Sequence, residues 1–144
     1  MNIKLLIPSL LVTLVISCAT SSRVSHATHE TQGKGIPEID EMIVELKGNY
    51  IRECYAPILK REVPETECQL DLFSMLERRY RTSFQPQHVK MASDDLFFSV
   101  VSKKIKRLVS SDIELRNQVK NNFDSYDDLV SYYRELYSFQ TDSL

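Results

Sequence analysis

An all-α fold, a compact bundle of four to five helices, is predicted for most of this 144-residue chain by three observations. Apolar residues recur three and four positions apart through most of the sequence beyond residue 36, which is the period of one helix face. Only three glycines occur, Gly33, Gly35 and Gly48, so glycine-turned hairpins and Gly-rich phosphate cradles lack their material. The 42% apolar and 26% charged residues supply one core and exceed what a disordered chain carries. A formal charge of −2 argues against a wholesale polybasic nucleic-acid binder.

The elements follow in order. Ile39, Met42, Ile43, Leu46, Tyr50 and Cys54 line one face of a first helix. Pro37 suits its start, and Glu38, Asp40 and Glu41 suit the positive end of its dipole. Pro57 is expected to stop or kink this helix, because Ala56 before it is biased out of the right-handed helical region. A second helix spans about Pro64 to Arg81, with Leu72, Phe73, Leu76 and Tyr80 inward and Cys68 one turn before Leu72. Ser83-Phe84-Gln85-Pro86 reads as a break, and His88 to Ala92 as a turn or short strand. Ser93 is the expected N-cap of a third helix, followed by Asp94 and Asp95. Its inner stripe is Phe97, Val100, Val101, Ile105 and Leu108. Ser111-Asp112-Ile113-Glu114 has capping-box spacing and opens a fourth helix. Tyr126, Leu129, Val130, Tyr133, Leu136 and Tyr137 give the last helix the clearest amphipathic pattern in the chain. No internal repeat is present.

The N-terminus carries an address. Met1–Lys4 holds one Lys, and Leu5–Ile16 is a short apolar run. Twelve residues cannot span a bilayer, which takes about 20, but they suit a secretory signal. Val15-Ile16-Ser17-Cys18 then resembles the lipobox of bacterial lipoproteins, with Val15 at −3, Ser17 at −1 and Cys18 at +1. The resemblance implies a diacylglyceryl thioether on Cys18, cleavage just before it, and N-acylation of the new amine. It covers processing only, and implies nothing about the domain. Ala19 stands at +2 where an Asp often retains lipoproteins in the inner membrane, so the resemblance implies the outer membrane, facing the periplasm. The alternative is an ordinary signal cleaved after Ala19, which leaves a secreted or periplasmic soluble protein. Residues 1–17 are thus the expected signal peptide, 18–35 the lipidated cysteine and its tether, and 36–144 the helical domain. Ala19 to Gly35 is rich in Ser and Thr without apolar period, the composition of a disordered tether. If flexible, it has an r.m.s. span of roughly 20–25 Å. His26 and His29 within it are read as solvated polar residues, since a metal needs further ligands.

Cys54 and Cys68 remain as an even pair in an exported chain, and a disulfide is their natural reading. Closing a loop of about 15 residues would stabilise by roughly 3 kcal/mol. Two buried thiols, or a zinc pair completed by His88, are the rivals. There is no G-x-S-x-G, no H-E-x-x-H and no nucleotide fingerprint. Asp94-Asp95 and Asp127-Asp128 are read as first-turn capping groups, so neither enzyme activity, a metal nor a dissociable cofactor is expected. Between Glu77 and Arg107 eight basic residues face three acidic ones. Arg78, Arg79, Arg81, Lys103, Lys104, Lys106 and Arg107 form a candidate cationic contact patch for an acidic partner or anionic headgroups. Tyr132 and Phe139 are candidate exposed aromatic partner contacts.

These features favour a membrane-anchored, non-catalytic protein-binding adaptor of the cell envelope. Lipid, tether and compact helical binder look like the layout of secretion-system pilotins, which escort pore subunits, although no residue motif is specific to them. The alternative is a structural lipoprotein that uses its cationic patch on a surface, and a small hydrolase ranks third. An adaptor predicts an exposed apolar groove.

Overall fold

Pro57 does not end the first helix. In the computed structural model, which describes residues 34–142, α1 (Pro37–Tyr50) passes into a π-helical segment (Ile51–Tyr55) and then α2 (Ala56–Leu59) with helical backbone throughout. A proline inside a helix removes one amide and drives its ring toward the carbonyl four residues back. The wider π turn, closed by the Ala56 amide on the Ile51 carbonyl, makes room for that ring. The carbonyl left over, that of Glu53, accepts the side-chain amide of Gln69 at 2.7 Å.

Five helical stretches result among the described residues, with no strand: α1 through α2, then α3 (Glu67–Tyr80), α4 (Pro86–Ser111), α5 (Ile113–Asn122) and α6 (Tyr126–Tyr137), followed by a 3₁₀ turn (Phe139–Thr141). These belong to one unit, Gln32–Leu144. The all-α bundle is as expected, and three boundaries differ. The third helix begins at Pro86, about two turns before Ser93, because Gln85 and His88 form a reciprocal capping box and Pro86 suits the first helical position. The stretch His88 to Ala92 is therefore helical, and Ser93 and Asp94 are buried within α4 rather than capping it. Extending the helix also resets its inner face to Val89, Ala92, Phe97, Val101 and Ile105. Phe98 is buried with them, whereas Val100 is 46% exposed. Asp112, not Ser111, caps α5, its carboxylate accepting from the Glu114 and Leu115 amides.

The core joins Ile36, Ile39 and Ile43 of the first segment to Leu72 and Leu76 of α3, the inner face of α4, and Leu129 and Tyr133 of α6. α6 runs antiparallel to α4. At its start the Tyr126 hydroxyl donates to the Ser102 carbonyl, and near its end Arg134 pairs with Asp95. Tyr133 ties α6 to the head of α1, accepting from the Ile36 amide at 2.8 Å and donating to the Ile36 carbonyl. No helix of the described residues is long and apolar enough to cross a membrane.

Candidate functional site: a groove between two arginine turns

The α2–α3 and α3–α4 connections lack glycine at the places where the backbone turns left-handed. After α2, the Glu62 amide reaches the Pro57 carbonyl and the Arg61 amide the Ile58 carbonyl. That is the hydrogen-bond pattern of a Schellman cap, which normally seats glycine at its left-handed position. Here Arg61 occupies it with φ 60°. After α3, Arg81 sits at φ 58° and ψ −131°, close to the first central position of a type II′ turn and again a glycine position. A side chain held in such regions costs of order 1–3 kcal/mol and persists where the surroundings determine it.

Both turns border one groove of about 420 Å³. Its apolar lining is Ile58, Phe73 and Phe84, and Arg61, Glu62 and Glu77 bring charge to it. Phe73 and Phe84 meet edge to face with ring centroids 5.9 Å apart, a preferred aromatic geometry. Both rings remain half-buried. α3 supplies Phe73 by its helical period, and the loop before Pro86 supplies Phe84. None of these residues stood among the candidates read from sequence. The available signal was a phenylalanine inside a turn-forming run, where apolar side chains are unusual.

Cys54 and Cys68 are bonded, joining the π segment to the first turn of α3 with Cα atoms 5.6 Å apart. His88 takes no part there. Its Nδ1 accepts from the Gln85 amide at 3.1 Å, and its ring stacks on Tyr80 at 3.8 Å. Among the described residues no group of three or more His, Cys, Asp or Glu is placed to hold a metal ion.

The predicted cationic block is divided by the fold. Tyr80 on His88 sets the end of α3, and Arg81 with it, at the start of α4. Lys103 lies fifteen residues further along, roughly 22 Å up the helix at 1.5 Å per residue. Arg79 pairs with Asp95 at 2.8 Å, and Arg134 meets the same carboxylate. Burial alone would raise the Asp95 pKa, but hydrogen bonds and charge from the two arginines outweigh it and hold the group below its ordinary value. Asp95 is therefore an ion-pair hub, not a first-turn cap. Its neighbour Asp94 is buried and accepts from the Phe139 amide, the Ser138 hydroxyl and the Gln140 side-chain amide. Asp127 and Asp128 do occupy the first turn of α6.

Phe139 is not an exposed contact. It is fully buried in the 3₁₀ turn beyond α6, ringed by Tyr50, Tyr55 and Phe97. The helix ends at Tyr137, so Phe139 does not continue the helical face that carries Tyr132. Tyr132 is half-buried against Phe123 and Tyr133. Val15, Ser17 and Cys18 lie outside the described residues.

No family model matches the chain, and no curated protein or solved structure matches it.

Proposed function

We propose that the chain is an exported lipoprotein, anchored through lipid on Cys18, whose helical domain is a non-catalytic protein-binding adaptor of the cell envelope. The groove lined by Ile58, Phe73 and Phe84 carries the binding half of this reading. Two turns hold costly backbone at its border, and two aromatic rings stay half-exposed inside it. The occupant it suits is a segment of another envelope protein presenting one large apolar side chain between Phe73 and Phe84. An acidic group on that segment would meet Arg61, and a basic group Glu77. Apolar anchors that fill pockets of this kind carry most of the energy of protein interfaces. The Val15-Ile16-Ser17-Cys18 sequence supports the anchoring half, and the Cys54–Cys68 bond fits an oxidising compartment.

Two measurements test the halves separately. Acyl-chain labelling with the mass of the mature N-terminus should find lipid on Cys18, lost in Cys18→Ser. An unlabelled protein starting at Thr20 overturns the anchor. A photo-crosslinking residue at position 84 in cells should give one discrete protein adduct, lost when Phe73 becomes Asp. The same probe at Glu45, on the exposed side of α1, should give none. Equal adducts from both positions would remove the groove as the binding site.

A further inference from the structure

We infer that the exposed strip Lys103, Lys106 and Arg107 on α4 is a membrane-surface contact, seated on anionic phospholipid headgroups. The membrane in question rests on the lipoprotein reading; the surface rests on three features of the domain.

Charge is the first. Lys103, Lys104, Lys106 and Arg107 are all exposed, and among the described residues no ion pair engages their side chains. Arg79 and Arg134, by contrast, share Asp95. Lys103, Lys106, Arg107 and Ser110 follow at i, i+3, i+4 and i+7, one face of a helix. With Ser111 they line a shallow depression of about 540 Å³. The next carboxylate along the chain, Asp112, is engaged by the Glu114 and Leu115 amides.

The second feature is what brackets the cations. Val100 is 46% exposed one turn before them, and Ile113 is 72% exposed just after them. Cations flanked by exposed aliphatic groups match the boundary between headgroups and acyl chains. A hydrated acidic protein face would use the charges and leave both aliphatic groups in water, so the lipid surface is the better occupant.

The third is where the chain enters the domain. Lys34 pairs with Asp128 at 3.8 Å and lies over the Phe123 ring at 5.5 Å. Asp128 is in the first turn of α6, two residues from Tyr126, which is bonded to Ser102 beside Lys103. The entry point and the strip therefore share one end of the bundle. Sixteen residue steps separate Cys18 from Lys34, which reach at most about 55 Å fully extended. A surface held that close to the bilayer experiences it at an effective concentration in the millimolar range. A contact too weak to hold a free protein is then mostly occupied, and anionic lipid attracts each nearby cation.

The test is a lysine footprint on the full-length chain, processed in cells and reconstituted into phosphatidylethanolamine vesicles with or without phosphatidylglycerol. A water-soluble amine reagent is followed by mass spectrometry. With phosphatidylglycerol, Lys103, Lys104 and Lys106 should label about two- to three-fold more slowly, as expected for a strip half to two-thirds occupied. Lys60, beside the groove at the other end of α4, should not change. The protection should vanish at high salt, and Lys104 should lose it in a Lys103→Glu, Lys106→Glu, Arg107→Glu variant. Equal labelling with and without phosphatidylglycerol overturns the contact. Protection in intact envelopes but not in these vesicles also overturns it, and assigns an acidic protein instead. A chain that does not enter vesicles at all overturns the anchor and with it the contact, whose occupancy depends on the effective concentration the anchor supplies.

Discussion

The side-chain amide of Gln69 stands 2.7 Å from the carbonyl oxygen of Glu53, the group that Pro57 leaves without an amide. The same side chain accepts the Glu65 amide through its Oε1 at 2.8 Å. One amide thus completes the broken turn of the first helical segment and pins the approach to α3. This double role explains why a polar side chain is buried there at 7% exposure, since buried polar groups must be paired.

Gln69→Leu should therefore cost about 1–3 kcal/mol, the penalty of an unsatisfied buried carbonyl. Urea unfolding with an unchanged slope measures it. Gln69→Glu should cost at least as much at neutral pH, because a carboxylate cannot donate to the Glu53 carbonyl. Acidification should return part of that loss, as the protonated acid regains a donor. Two variants of equal stability to the parent would show that the π segment is closed without Gln69.

The Cys54–Cys68 bond holds the same junction one residue away. Cys54→Ser or Cys68→Ser should destabilise the domain by about 2–4 kcal/mol and leave one free thiol, read by alkylation before and after reduction. Both devices fix the start of α3 against the π segment. Combining Cys68→Ser with Gln69→Leu should hence cost less than the sum of the two, as coupled neighbours do.

Periodicity made the bundle legible, and it failed where a local polar contact competed with it. The pattern of Tyr126 to Tyr137 marked α6 without ambiguity, and Ile39 and Ile43 marked α1. Pro57 marked a disruption of the first helix but not that the chain stays helical through it, because the break is absorbed by a residue twelve positions later. Ser93 and Asp94 misled because a cap-like sequence inside a helix looks the same as one at its start. The difference is Asp94's partners, which lie in the turn at Ser138 to Gln140. Phe139 became a core residue for the same reason: its amide is held by that buried carboxylate. The groove was invisible because its parts, Ile58, Phe73 and Phe84, come from three separate segments. Their common position depends on the turns at Arg61 and Arg81, for which the sequence offers no glycine to read.

Alkaline pH should unfold this domain through its tyrosines. Burial raises the Tyr50 hydroxyl to about 12, and Asp94 and Asp71 push in the same direction. Tyr133 and Tyr137 are raised further, first by burial, with the Asp40 carboxylate also opposing ionisation. Each is neutral in the folded chain over a range where an unfolded tyrosine, near 10, has already ionised. Their contribution to stability is therefore complete below about pH 10 and lost as pH rises through the folded values. Phenolate absorbance should rise together with loss of helical circular dichroism in that window. Tyr133→Phe should show a shallower decline, although it gives up the two hydrogen bonds to Ile36. Free titration of all tyrosines near pH 10 in a still-folded chain would contradict the burial.

Arg61→Gly should make the protein more stable and a poorer binder. A left-handed residue with a side chain costs about 1–2 kcal/mol, and glycine removes that penalty. Glycine also loosens the unfolded chain, returning about 0.4–1 kcal/mol. The net gain is then between zero and about 1.6 kcal/mol, seen as a higher urea midpoint. The same change deletes a cation from the lip of the groove, so the adduct captured from position 84 should fall. Stability and capture moving in opposite directions is the signature of strain retained for a contact. A loss of stability would instead mean that Arg61 packs well enough to offset its backbone. A gain in stability with capture unchanged would place the partner's charged group elsewhere on the rim, and Glu77→Gln would then be the variant that lowers it.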